Sequence, residues 1–99
     1  MKYELSKAAQ RDLENIWLYT YENWSAEQAD RYYDLLIDEI EFIAVKPQAG
    51  KDQGHIRDGY FRTKVKSHYI FYRIDPRKKL VEIVRILHQR MDIAARLSD

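Results

Sequence analysis

The sequence predicts an α+β fold: an N-terminal strand, an antiparallel helical hairpin packed on a curved antiparallel sheet of three to four strands, and a short C-terminal helix. Two long amphipathic segments come first, and only residues 23–25 break the pattern between them. Three β-rich runs then follow in series, at residues 60–65, 69–74 and 80–87. Strands in series favour an antiparallel meander with the helices on one face. We expect residues 1–99 to form one domain.

The N-terminal strand and the first helix are indicated by a change of period. Residues 2–5 alternate polar and apolar, which is typical of a half-buried strand. Ser6 is a suitable N-cap for the helix that follows. An apolar stripe with helical spacing then runs through Ala9, Leu13, Ile16, Trp17 and Tyr21.

The second helix is predicted to begin at a capping box formed by Ser25 and Gln28. Pro47 ends it, because proline disfavours helical geometry at the preceding residue. The short break between the helices favours an antiparallel hairpin. The apolar stripe of this helix consists of Ala29, Tyr33, Leu36, Ile40, Ile43 and Ala44.

The second half of the chain is predicted to be a loop, a meander and a short helix. Residues 47–58 contain one proline and two glycines and few apolar side chains, which indicates a loop. Lys66 and Ser67 are expected to link the first two strands as a two-residue turn, with Val65 opposite His68. Residues 75–79 form the next turn, and Asp92 is expected to cap the final helix.

This register divides the sheet residues between two faces. The face under the helices is expected to contain Phe61, Val65, Ile70, Tyr72 and Ile74. The other face is expected to carry Tyr60, Arg62, Lys64, Tyr69, Phe71 and Arg73, joined by Arg85 with Val81, Ile83 and Leu87 beside it. An apolar patch rimmed by cations is typical of a protein-binding surface. The alternative is that the C-terminal segment folds back over it.

Composition excludes several classes of protein. The chain has no cysteine, which excludes disulfides and thiolate metal sites and fits the cytoplasm. No apolar run is long enough to span a membrane, and no signal peptide is evident. Residues 1–50 carry five basic and ten acidic side chains, whereas residues 51–99 carry twelve basic and six acidic ones. The second half is therefore expected to offer a basic surface to an acidic partner.

Catalytic signatures are sparse. Three histidines are candidates for general acid–base chemistry: His55 in the loop, His68 at the hairpin turn and His88 at the end of the last strand. Their spacing matches no metal site, and no phosphate loop or nucleophile elbow occurs, so we expect no metal and no cofactor. Metal-free RNA cleavage is the one enzyme class left open, with Arg62, Lys64, Arg73 and His88 as its candidate residues.

Two stretches of the chain carry a family resemblance. Residues 69–74 (YIFYRI) with residues 81–92 (VEIVRILHQRMD) closely resemble the C-terminal signature of ParE toxins, in the RelE/ParE superfamily. The N-terminal part of the chain also resembles the N-terminal part of these toxins, at Leu5, Ser6, Ala8, Ala9, Asp12, Leu13, Ile16 and Trp17. The resemblance covers essentially the whole chain. It implies the fold predicted above.

The resemblance also implies a function. ParE-like toxins usually inhibit DNA gyrase and are neutralised by a ParD-type antitoxin whose acidic C-terminal tail wraps the toxin. We expect that tail to contact Leu13, Trp17 and Tyr21 on the helices and Phe71 on the sheet, with its carboxylates meeting Arg62, Lys64, Arg73 and Arg85. We expect the target to contact His88 and Arg90. Neither catalysis nor sequence-specific nucleic-acid binding is expected.

Two alternatives remain open at this point. RelE-like relatives cut messenger RNA on the ribosome with a cluster of basic residues and often a tyrosine or histidine near the C-terminus. Tyr69 and Ile70 stand where such enzymes tend to place a catalytic arginine, whereas His88 does not discriminate between the two groups. The other alternative is a detoxified relative that only binds its partner.

Overall fold

The computed structural model describes residues 1–97 and contains three helices and a five-stranded sheet. Helices α1 (Lys7–Asn23) and α2 (Ala26–Val45) form the hairpin, and α3 (Ile93–Leu97) ends the described chain. The strands are β1 (Lys2–Leu5), β2 (Lys51–Asp52), β3 (Tyr60–Val65), β4 (His68–Asp75) and β5 (Leu80–His88). A single 3₁₀ turn, Pro47–Ala49, follows α2. The predicted α+β fold is confirmed.

The sheet is wider than the three to four antiparallel strands expected, and it is mixed. Its strand order is β1-β5-β4-β3-β2. The N-terminal strand lies parallel to β5 at one edge, while the other neighbours are antiparallel. The two residues of β2, which were expected to lie in a loop, add a short strand at the other edge. The predicted hairpin register is confirmed, with Val65 opposite His68 and Phe61 opposite Tyr72.

Both long helices begin at the predicted serines. The Ser6 hydroxyl accepts a hydrogen bond from the Ala9 amide at 2.9 Å and donates one to the Val84 carbonyl at 2.7 Å. Ser25 accepts from the Gln28 amide at 3.1 Å. These caps satisfy free backbone donors, and the Ser6 cap also fixes the start of α1 against β5.

The main core lies between the helical hairpin and one face of the sheet. Leu36, Ile40 and Ile43 of α2 are almost fully buried against Ile70 and Tyr72 of β4. Phe61, Val65 and Ile74 pack at its margin, as the predicted face assignment requires. Two residues of the predicted helical stripes lie outside this core, since Tyr21 is 51% exposed and Tyr33 is 40% exposed.

The opposite face of the sheet is not open, which corrects the expected exposed patch. A second core cluster covers it, formed by Tyr60, Phe71, Leu87 and Leu97. Ile93 and Leu97 of α3 pack onto this face from above, so the C-terminal segment folds back over it. The Arg57 guanidinium donates to the Leu97 carbonyl at 2.9 Å and helps to hold the helix there.

A β-bulge in β5 changes which residues share a face. Phe71 is opposite Arg85 but Tyr72 is opposite Ile83, so Val84 is the extra residue. As a result Val81 and Ile83 lie in the main core under the helices, not beside Leu87 on the far face as expected. Within residues 1–97, no helix is long and apolar enough to cross a membrane.

Candidate functional site

A shallow groove runs along the outer flank of the helical hairpin. We call it the hairpin groove; its volume is about 590 Å³. It is lined by Leu5, Gln10, Leu13, Glu14, Trp17, Leu18 and Tyr33. The Trp17 indole stacks on Tyr21 with 5.3 Å between ring centroids and donates a hydrogen bond to Asp30 at 2.9 Å. An apolar concavity with a positioned indole is suited to receive apolar side chains of a partner.

The three hairpin residues expected to contact an antitoxin differ in exposure. Tyr21 is 51% exposed and Trp17 is half-buried, so both present surface to a partner. Leu13 is only 4% exposed, because its side chain packs into the main core. Leu13 thus offers little surface, but it also lines the hairpin groove, so its contact with an antitoxin stays a prediction.

Of the four predicted cationic contacts, Arg62 and Lys64 form a strip with Tyr69. The Arg62 guanidinium lies 4.2 Å from the Tyr69 ring centroid, and the Lys64 ammonium lies 5.5 Å from it. We call these three residues the cationic strip. Phe71, expected on the same open surface, is instead fully buried beneath α3.

The other two cations already have carboxylate partners. Arg73 forms an exposed ion pair with Glu82 at 2.9 Å. Arg85 does not join the strip, because the bulge and its ion pair direct it toward α1, where its Nε lies 2.8 Å from Asp12. The Asp12 carboxylate also accepts from Arg85 Nη2 at 3.0 Å and from the Ile86 amide at 2.9 Å. Asp12 thereby fastens α1 to β5.

A second concavity, of about 980 Å³, opens on the other flank of α1. We call it the terminal cleft, because it lies between the α1–α2 turn, the β3–β4 turn and the end of β5. Its walls include Ile16, Tyr19, Trp24, Tyr32, Leu35, His68, Ile86, His88 and Met91. Charged residues of the cleft are Asp12, Arg31, Lys66, Arg85 and Arg96.

Two histidines and a tyrosine form one wall of the terminal cleft. The Tyr32 hydroxyl lies 2.7 Å from His68 Nδ1 and 3.0 Å from the Val65 carbonyl. The His68 and His88 rings meet edge to face, with 5.2 Å between centroids. Burial, with a smaller contribution from His88, lowers the pKa of His68 to about 4. His68 is therefore neutral near pH 7 and is a weak base for proton abstraction.

The remaining predicted residues are His88, Arg90 and His55. His88 lines the terminal cleft, and its Nδ1 accepts a hydrogen bond from the Arg90 amide at 3.1 Å. Arg90 itself is exposed on the turn after β5, and His55 is exposed in the loop before β3. Within the described residues 1–97, no group of three or more His, Asp or Glu side chains is arranged to hold a metal ion.

Sequence reasoning missed the terminal cleft because residues from α1, α2, both turns and the C-terminal segment form it. In the sequence, Asp12 stands out only as part of the opening that resembles the family. A semi-buried acid on the sheet-facing side of an amphipathic helix was the available signal, since such an acid needs a partner. The Tyr32–His68 contact had no signal in the sequence.

Comparison with known proteins adds the family. Residues 3–93 match the family model described as ParE toxin of type II toxin–antitoxin system, parDE. The chain is 43% identical over 95 residues to Toxin ParE1 of Caulobacter vibrioides, covering 96% of each chain. It is 41% identical over 92 residues to Toxin ParE1 of Mycobacterium tuberculosis, covering 93% of each.

Comparison with solved structures shows that the fold of this chain is also found in another protein. A solved structure described as the chromosomal ParDE toxin–antitoxin system from P. aeruginosa aligns with a TM-score of 0.75 at 16% identity. The alignment covers 89% of this chain and 95% of that one. The α+β architecture with a helical hairpin on a mixed sheet is thus shared beyond recognisable sequence. On the family match and the identities to named relatives, the chain belongs to the ParE toxin family of type II toxin–antitoxin systems.

Proposed function

We propose that this toxin inhibits DNA gyrase by protein–protein contact in the cytoplasm and is neutralised by a ParD-like antitoxin. The observation that carries the proposal is the amount of apolar surface left uncovered on the helical hairpin, in a chain of the ParE family. Large apolar side chains are exposed there at Leu18, Tyr19, Tyr21, Trp24, Tyr33 and Leu35. Exposed apolar area of this kind is typical of an interaction surface.

The hairpin groove is the proposed seat of the antitoxin. Its apolar walls would receive apolar side chains of the antitoxin tail, with Trp17 and Tyr21 as aromatic anchors. Carboxylates of the same tail would meet Arg62 and Lys64 of the cationic strip. Within the part of the chain that the structure describes, neither forms an ion pair like those of Arg73 and Arg85. Burial of Phe71 removes it from this proposed interface.

Substitution of Trp17 tests the antitoxin site. We expect Trp17→Ala to weaken antitoxin binding by about 30-fold, as for an aromatic anchor in an interface. Phe42→Ala is the matched control, because Phe42 is an exposed aromatic residue, 46% exposed, that lies on α2 outside the groove. Titration calorimetry with the purified antitoxin measures both variants. Equal affinities for Trp17→Ala and the wild type would place the antitoxin elsewhere.

The target is tested by adding purified toxin to a gyrase supercoiling reaction and to a translation reaction. Loss of supercoiling, with accumulation of broken DNA and intact message, supports gyrase inhibition. Cleaved message with unaffected gyrase would instead establish the ribonuclease alternative. Healthy cells after expression of the toxin without its antitoxin would favour the detoxified binding module.

One observation favours RNA cleavage as the second candidate function. The terminal cleft brings Tyr32, His68 and His88 together beside several cations. Against it, the low pKa of His68 leaves that imidazole a weak base, and Nδ1 of each histidine is engaged in a hydrogen bond. The translation reaction decides between the two candidates.

A further inference from the structure

Helix α1 separates two concavities, and none of the described residues lines both of them. With 100° of rotation per residue, the positions of α1 that line the two concavities fall on opposite flanks of the helix. The terminal cleft uses Asp12, Asn15, Ile16, Tyr19 and Thr20, whereas the hairpin groove uses Gln10, Leu13, Glu14, Trp17 and Leu18. A partner seated in the groove therefore need not touch the floor of the cleft.

The two concavities differ in charge. Among residues 1–97, four cationic residues line the terminal cleft, namely Arg31, Lys66, Arg85 and Arg96, against the single carboxylate of Asp12. Of the described residues that line the hairpin groove, one is charged, and it is the acidic Glu14. His68 adds no charge near neutral pH, because its pKa is about 4. Among the described residues the cleft is thus positively charged and complements an acidic segment, whereas a tail seated in the groove would meet cations only at the cationic strip.

The terminal cleft also offers apolar anchoring points. Trp24 and Tyr19 are 65% and 62% exposed and pack edge to face with 6.1 Å between centroids. Leu35 is 39% exposed on the facing helix, and Met91 is 40% exposed on the turn after β5. Cations around apolar side chains complement a peptide in which carboxylates flank a large apolar residue. A nucleic-acid backbone presents no apolar side chain for these anchors.

We propose that the terminal cleft is the docking site for an acidic segment of the toxin's target, a segment that carries a large apolar side chain. This inference rests on the proposed function, because it takes gyrase as the target and the hairpin groove as the antitoxin site. The apolar side chain enters between Trp24 and Leu35. The flanking carboxylates lie near Arg31 of α2 and Lys66 of the β3–β4 turn, which both line the cleft.

A pair of matched double variants tests the proposal. Arg31→Glu with Lys66→Glu reverses two cations of the cleft. Arg11→Glu with Lys79→Glu makes the same change in net charge at exposed positions outside both concavities. The control is also matched in backbone conformation, because Lys66 and Lys79 both lie in turns and both have a φ of 50°. Circular dichroism confirms that each variant is folded.

Each protein is titrated into a gyrase supercoiling reaction and into purified antitoxin. For the cleft variant we expect at least about tenfold more toxin to be needed for half-inhibition of gyrase, with antitoxin affinity within about twofold of wild type. The control variant keeps both activities. Trp24→Ser is expected to reduce inhibition similarly, whereas Val45→Ser, at an apolar residue 75% exposed at the end of α2, leaves it unchanged.

The outcomes separate this inference from the proposed function. If the cleft variants inhibit gyrase as well as wild type, the inference is overturned and gyrase inhibition stands. Equal losses in the cleft and control variants would show a general charge effect and also overturn it. Loss of antitoxin affinity in the cleft variants would assign the cleft to the antitoxin. If the wild-type toxin leaves gyrase unaffected, the proposed function itself fails.

Discussion

Removal of the Asp12 carboxylate is expected to destabilise the fold strongly. Asp12 accepts hydrogen bonds from Arg85 Nε at 2.8 Å, Arg85 Nη2 at 3.0 Å and the Ile86 amide at 2.9 Å. The Asp12 side chain is 12% exposed and that of Arg85 is 22% exposed. Asp12→Ala therefore leaves a semi-buried guanidinium and a backbone N–H without this acceptor, which is costly in a poorly solvated place.

The size of the loss follows from that exposure. Breaking one side of a buried ion pair costs about 3–5 kcal/mol, and water that reaches Arg85 lowers the value here to about 3 kcal/mol. For a domain of this size, such a loss lowers the Tm by roughly 12–24 °C. Asp12→Asn keeps an acceptor for the Ile86 amide and is expected to cost about half as much, since it removes the charge but not the side-chain oxygen.

The matched control is the other arginine–carboxylate pair of the sheet. Arg73 and Glu82 are in similar contact, but the Arg73 side chain is 52% exposed. Glu82→Ala is expected to cost no more than about 1 kcal/mol, because exposed ion pairs contribute little. Urea unfolding followed by circular dichroism measures all three variants. Equal losses for Asp12→Ala and Glu82→Ala would refute the reasoning that burial makes the first pair important.

Three further predictions concern the two cores and the histidine wall. Gly50→Ala is expected to lower the free energy of unfolding in urea by about 2–3 kcal/mol, because the added Cβ would lie 2.7 Å from Cζ of the buried Tyr72. Tyr72→Phe should relieve part of this loss. If the losses of the two single variants simply add in the double variant, the proposed clash is contradicted. Leu97→Ala is expected to cost about 2–3 kcal/mol, because Leu97 is 3% exposed and anchors α3 over Phe71; unchanged hydrogen exchange in α3 would contradict this. The pKa of His68 is about 4 in the folded protein, below its ordinary 6.5, so the unfolded chain binds more protons and stability falls as pH drops from 6.5 towards 4. His68 is partly exposed, so His68→Gln should remove about 1–2 kcal/mol of the loss in unfolding free energy between pH 6.5 and pH 4. If the variant and the wild type lose unfolding free energy in parallel as the pH falls, this prediction is refuted.

The local structure was predictable from the sequence because its signals are local. Ser6, Ser25 and Pro47 bound the two long helices as their chemistry requires. The β3–β4 register followed from a two-residue turn at Lys66 and Ser67, although Lys66 adopts the positive φ for which glycine is favoured. Alternation then assigned Ile70 and Tyr72 to the helix-covered face correctly.

What covers each face was not predictable in the same way. A period of two shows that Tyr60, Phe71 and Leu87 lie on a common side, but not that Leu97 returns to bury them. The bulge at Val84 has no recognisable sequence signal, yet it reverses the expected placement of Ile83. The terminal cleft depends on both features, since α3 and the bulged strand form one of its sides.

The burial of the far sheet face changes where a partner can act on this toxin. The expected interface combined Phe71 with cations on the sheet, but α3 already occupies the apolar part of that surface. We therefore expect partners to bind at the helical hairpin, where α1 has a concavity on each flank. The Asp12–Arg85 pair fixes the orientation of α1 against β5 and so sets the shape of both concavities. Substitutions at Asp12 that leave the chain folded should weaken antitoxin and target binding together, whereas substitutions at Trp17 or Lys66 should weaken only one of them.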